Sequence, residues 1–217
     1  MVTVIFYLCG RSGVGKDTIA NGVLDLVKSL KPLVNYTTRE KRRFEKEGIE
    51  YNFIDVETFT EMCINKKFVT WRSYNVKDSN GEDRVTYYGY PMPEPGFYIT
   101  SGPVDVLDAY LDTTRGRRDI FVIPYYIMVS DHTKLFKRMV DRAVAQNLNM
   151  DETIRRFHSD DKDFTADVED RFLKQGWVYR NDGSGKKAIE DIASYVKDAM
   201  VSYKEMEELS KCGLIVL

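Results

Sequence analysis

The sequence predicts an α/β protein, with a parallel sheet core covered by helices on both faces and inserted regions at the carboxyl ends of the strands. Three observations carry this. Apolar, β-favouring runs at Val2–Cys9, Phe97–Thr100, Ile120–Val129 and Trp177–Asp182 alternate with stretches of helical period. The first run enters a helix through a loop with glycine at 10, 13 and 15. The 217 residues, 43% hydrophobic and 30% charged, suit one packed domain with inserted subregions rather than two domains.

In chain order, the helix after Lys16 sets Ile19, Val23, Leu26 and Val27 on one side. Lys31-Pro32 breaks the pattern, and Leu33–Tyr36 reads as a short second strand. Asp55 caps a helix over Val56–Lys66. Phe68–Tyr74 and Arg84–Tyr90 alternate as a hairpin around the turn signal Asn80-Gly81. Pro91–Gly96 is a linker, and Val104–Leu111 is a short helix. Within Ile120–Val129, Pro124 has no N–H and belongs at a bulge or an edge. Ser130 or Asp131 caps a helix from His132, Asn147–Met150 interrupts it, and Asp151 caps the next. From Lys186 a helix carries Ala188, Ile189, Ile192, Ala193, Val196 and Met200 as a core face and continues towards Lys211. The tail Gly213–Leu217 is apolar enough to dock on the body or on a second subunit.

Strand, glycine loop, lysine, helix is the arrangement that cradles a phosphate. The glycines let the backbone of Gly10, Arg11, Ser12, Gly13, Val14 and Gly15 curl with its amides inward. The helix terminus adds partial positive charge, and Lys16 reaches the β- and γ-phosphates. A hydroxyl residue usually follows that lysine and binds Mg²⁺. Here it is Asp17, with Thr18 next, so the ion is held by Asp17 directly or through water, or by the Thr18 hydroxyl.

A second cationic stretch, Thr37-Thr-Arg-Glu-Lys-Arg-Arg-Phe-Glu45, leads to Gly48 and Tyr51-Asn-Phe53. Arginine makes planar bidentate bonds to phosphate, so Arg39 and Arg42 suit a second phosphate opposite the first; the alternative is a solvated loop. Thr37-Thr-Arg39, Arg42, Glu45, Gly48 and Tyr51-Asn-Phe53 resemble, without a gap, the monophosphate-binding segment of the guanylate kinase family. Asn35 stands at that segment's serine, and Thr86-Tyr-Tyr-Gly89 resembles the family's N-Y-Y-G. The resemblance implies that ATP and Mg²⁺ bind at 10–18. It also implies that Asn35, Arg39, Arg42, Glu45, Tyr51, Thr70 and Tyr88 surround the acceptor, a nucleoside monophosphate, most readily GMP or dGMP. Asn181, in a match to the family's V-x-N-D, would meet the donor adenine. Arg138 and Arg142, four apart on one helix, with Arg156, match the family's lid arginines and would stabilise charge on the transferred phosphoryl group.

The chain departs from the family at three places. Thr70 replaces a base-reading glutamate, Tyr90 replaces a small hydroxyl residue, and Thr100–Pro103 lacks the strand-end acids. Another (deoxy)nucleoside monophosphate is therefore a second reading. A non-catalytic protein-binding module of the same fold is a third, against which Lys16 and the glycines argue. The expected layout is a core at 1–36, 91–137 and 159–217, a monophosphate-binding insertion at 37–90 and a lid at 138–158.

A net charge of −2 predicts neither nucleic-acid nor membrane partners. Without an apparent signal segment or membrane-length apolar run, and with three cysteines (Cys9, Cys63, Cys212) lacking metal spacing, reduced thiols in a cytoplasm are expected. Monomer and homodimer both remain open.

Overall fold

A computed structural model describes residues 2–42, 45–77, 83–145 and 150–212. Its main sheet has five parallel strands in the order β2-β7-β1-β8-β9: β1 Thr3–Cys9, β2 Lys31–Pro32, β7 Gly96–Ser101, β8 Ile120–Met128 and β9 Val178–Arg180. Every residue of β1 is buried, as a central strand covered on both faces requires. The two-residue period divides it. Val4, Phe6 and Leu8 join one apolar cluster with α1 (Lys16–Leu26) and α7 (Gly185–Lys211). Ile5, Tyr7 and Cys9 join another with α3 (Val104–Thr114) and α6 (Ala166–Lys174). A Cβ on Gly22 would lie 2.4 Å from Ile189, so α1 and α7 are in contact because this residue has no side chain.

The second sheet, β4-β3-β6-β5, is built from β3 Tyr36–Thr37, β4 Asn52–Phe53, β5 Phe68–Lys77 and β6 Asp83–Pro91. Helix α2 (Val56–Ile64), capped by Asp55 on the Thr58 amide at 2.7 Å, packs on it through Phe59, whose ring meets those of Phe68 (5.0 Å) and Tyr87 (5.4 Å). Helices α4 (His132–Ala145) and α5 (Met150–Asp163) pack together beyond the strand ends.

The structure refines several expectations. The short second strand is displaced: Lys31–Pro32 pairs with β7, while Tyr36–Thr37 enters the other sheet. Asp131, not Ser130, caps α4, accepting from the amides of Thr133 and Lys134. Ser130 instead bonds Asp182. Asp151 lies inside α5 rather than at its cap. Pro124 sits where β8 borders β1 but β9 has not yet begun. Tyr126, two residues on, donates its N–H to Trp177 on the β9 side, so the missing donor of Pro124 faces an unpaired edge. Helix α6 had no counterpart in the sequence reading. The expected turn at Asn80-Gly81, the Asn147–Asn149 part of the interruption and the tail 213–217 lie outside the described residues.

Candidate active site

The glycine loop joins the carboxyl end of β1 to α1. Gly10 has φ +145°, and a Cβ there would lie 2.2 Å from the Ile127 carbonyl oxygen; Gly13 has φ +81° and faces Met139. No side chain caps α1, whose N-cap is Gly15, so the first-turn amides are left to a ligand. The Lys16 ammonium folds back onto the carbonyl oxygens of Gly10 (2.6 Å) and Arg11 (2.9 Å). Burial pulls its pKa below the usual lysine value, against the opposing pull of Asp17 and Asp160.

Asp17 is exposed and accepts the Ser101 hydroxyl at 2.7 Å, at the end of β7 where the strand-end acids are missing. Thr18 beside it is exposed. One carboxylate and a hydroxyl suit Mg²⁺, which takes its remaining ligands from water and nucleotide phosphates. No cluster of three or more His, Cys, Asp or Glu that could hold a metal occurs among the described residues.

A cavity of about 410 Å³ runs from Asp17, Asn21 and Ser101 on the core to Arg39, Arg42, Tyr51 and Tyr88 on the second sheet and its loop. The Arg39 guanidinium is held bidentate by Glu45, at 2.9 and 2.8 Å, and lies over the rings of Tyr51 (5.5 Å) and Phe53 (5.6 Å). Glu45 also accepts the Arg42 amide at 2.8 Å. Burial would raise the Glu45 pKa, but these bonds outweigh it and hold the carboxylate below its ordinary value. Burial pushes the Tyr51 phenol up to about 12, so it stays a neutral donor. Asn35 lines the cavity, and its Oδ1 is buried without a partner.

Other expected site residues are placed differently. Thr70 lies on β5 opposite Tyr90, outside the cavity lining. Asn181, 5% exposed, donates its side-chain N–H to the Val14 carbonyl oxygen at 2.8 Å, bracing the glycine loop from behind. Arg138 donates to the Asn181 carbonyl oxygen at 3.4 Å, and Arg142 is exposed on the same helix. The Arg156 side chain lies outside the described residues. Arg11 points away from the anion cradle: its side chain is buried against α5 and α6, donating to Asp161 (2.5 Å) and the Phe164 carbonyl oxygen (2.7 Å), with Glu169 at 3.6 Å. The adjacent Ser12 amide donates to Asp160 at 2.5 Å. Sequence reasoning missed this junction, although the acidic run Asp160-Asp161-Lys162-Asp163 was visible.

A glycine loop at the carboxyl end of a central parallel strand, opening a helix that shares one cavity with the second sheet and its arginine-bearing loop, defines a P-loop α/β fold. Residues 2–83 match the family model described as guanylate kinase. The guanylate kinase of Myxococcus xanthus is 26% identical over 213 residues, 97% of this chain and 93% of that protein. That of Prochlorococcus marinus (strain MIT 9312) is 28% identical over 140 residues, 64% of this chain and 71% of its own. The crystal structure of guanylate kinase from Anaplasma phagocytophilum superposes with a TM-score of 0.59 at 20% identity, covering 100% of this chain and 98% of that one, which shows a common fold. Over residues 2–83 by family model, and more distantly along nearly its whole length, the chain is similar to guanylate kinases.

Proposed function

We propose that the protein transfers the γ-phosphoryl group of ATP to a nucleoside monophosphate, with GMP or dGMP as the first acceptors to try. The observation that carries this is the single cavity joining Asp17, at the start of the loop's own helix, to Arg39, Arg42, Tyr51 and Tyr88. The glycine-loop amides and Lys16 would hold the donor phosphates, the ammonium leaving its two carbonyl partners for them. Arg39, oriented by Glu45, would grip the acceptor phosphate with Arg42 and the two phenols. Arg138 and Arg142 on α4, with Arg156 on α5, would bring positive charge to the transferred group. Mg²⁺ at Asp17 and Thr18 would offset phosphate charge and orient the terminal group. The acceptor phosphate is already ionised, so no general base is needed. In this reading residues 37–90 form the acceptor-binding region and 138–158 the lid.

A second acceptor reading has its own support. Thr70 does not reach the cavity, whereas two amides, Asn21 and Asn35, line it, and an amide can both donate to and accept from a base edge. A panel of ribo- and deoxynucleoside monophosphates, assayed for ADP release from ATP, tests both. Turnover of GMP or dGMP alone supports the first, turnover of another monophosphate supports the second, and turnover of none with ATP bound favours a non-catalytic module.

A further inference from the structure

The junction between the glycine loop and α5 places an acidic side chain where a phosphate-binding loop offers its amides to an anion. Ser12 lies in the middle of that loop, yet its amide donates to Asp160 at 2.5 Å and its hydroxyl lies 3.4 Å from the same carboxylate. Burial raises the Asp160 pKa above the ordinary aspartate value, against the opposing pull of the Ser12 bonds and of Lys16 and Arg11. A carboxylate resting on a loop amide beside the loop lysine has the charge and hydrogen-bonding pattern of a phosphate oxygen. The neighbouring carboxylate does something different. Asp161 engages Arg11, whose guanidinium also holds the Phe164 carbonyl oxygen just beyond the end of the same helix. Arg11 therefore tethers the carboxyl end of α5 beside the loop, while Asp160 occupies a loop amide.

We propose that Asp160 is a positioning residue that stands in for the donor phosphate in the nucleotide-free protein and is displaced when the donor binds. This rests on the donor-site reading above. With the tether intact, the end of α5 stays close to the loop, so Asp160 can return when the nucleotide leaves. Displacing it frees Ser12 for phosphate and lets α5, the helix that carries Arg155 and Arg156, change its setting with occupancy of the donor site.

The test measures binding of ATP and of inorganic tripolyphosphate by calorimetry to three proteins: wild type, Asp160→Asn and Asp163→Asn, the last at an exposed position at the end of the same helix. Both variants remove one negative charge, but only the first alters the group on the loop amide. Asp160→Asn is expected to tighten both probes about fivefold, the difference between a charged and a neutral competitor for one amide. Asp163→Asn is expected to leave them within about twofold of wild type. Thermal melting supplies a second readout: the rise in midpoint on adding ATP is larger for Asp160→Asn than for wild type, because wild type must first give up the Ser12 contact. Equal tightening by both variants means general electrostatics and overturns the inference. So does weaker binding in Asp160→Asn, or an ATP-induced rise in midpoint no larger than that of wild type. If neither wild type nor Asp160→Asn binds either probe, the donor site itself is refuted and the inference falls with it.

Discussion

Glu45 gives the sharpest test of the proposed acceptor site, because it holds Arg39 and the Arg42 backbone at once. Its carboxylate accepts from Arg39 at 2.9 and 2.8 Å and from the Arg42 amide at 2.8 Å. The Arg39 and Glu45 side chains are each 14% exposed, so solvent replaces little of what is lost on mutation. Glu45→Gln keeps one acceptor oxygen but loses the charge and the second half of the fork. A hydrogen bond to a charged group contributes about 1.5–3 kcal/mol, so a loss of ~2–3 kcal/mol in orienting Arg39 is expected. That corresponds to a rise of roughly 30–150-fold in the acceptor KM. The KM for ATP should hold, since Glu45 makes no described contact with the glycine loop. The assay is ADP release with each substrate varied in turn. An acceptor KM within about twofold of wild type, in a variant with native circular dichroism, would refute the role given to this carboxylate. The pH dependence follows from the same bonds. The folded pKa of Glu45 is lowered, so its stabilisation is fully present above the ordinary glutamate value of about 4.3 and is lost as pH falls through the lowered value. Acceptor affinity in wild type should therefore persist to more acidic pH than an ordinary glutamate allows, and Glu45→Gln should lack that acid limb.

Three further outcomes are expected. Lys16→Ala should lower kcat by at least ~10²-fold while leaving circular dichroism and the melting midpoint near wild type; near-normal turnover would remove the phosphate role of the loop. Asp17→Ser should weaken the Mg²⁺ dependence of turnover, read as the concentration for half-maximal rate, and an unchanged titration would discard Asp17 as a metal ligand. Burial pushes the Cys9 thiol up to about 12, so at pH 8 iodoacetamide should label the exposed Cys212 and spare Cys9 until the protein is unfolded; rapid labelling of native Cys9 would contradict its place in the core.

Much of the core follows from local signals. Strand β1 is apolar at every position because both faces are covered, and that run is visible before any fold is known. The Asp55 cap, the hairpin of β5 and β6, and the core face of α7 each declare themselves within a few residues. The missed elements had weaker local signals or were overlooked. A two-residue strand such as β2, β3 or β4 has no period to detect, and its pairing is set by whichever edge lies alongside. Helix α6 carries a cap in Thr165 and first-turn acids in Asp167 and Glu169, local signals over only nine residues.

By itself, the sequence determined which chemistry the chain holds: a glycine loop with its lysine, and arginines spaced with tyrosines for a second anion. Tertiary structure alone decided which of those groups meet. It set Arg39 and Arg42 on one cavity with Asp17, left Thr70 off that cavity, and turned Arg11 from the phosphate cradle into a tether for α5. It brought Asp160 to Ser12 across nearly 150 residues of chain. Backbone preference and hydrophobic period act over a few residues, whereas hydrogen bonds between side chains distant in sequence exist only once the sheet and its helices have packed.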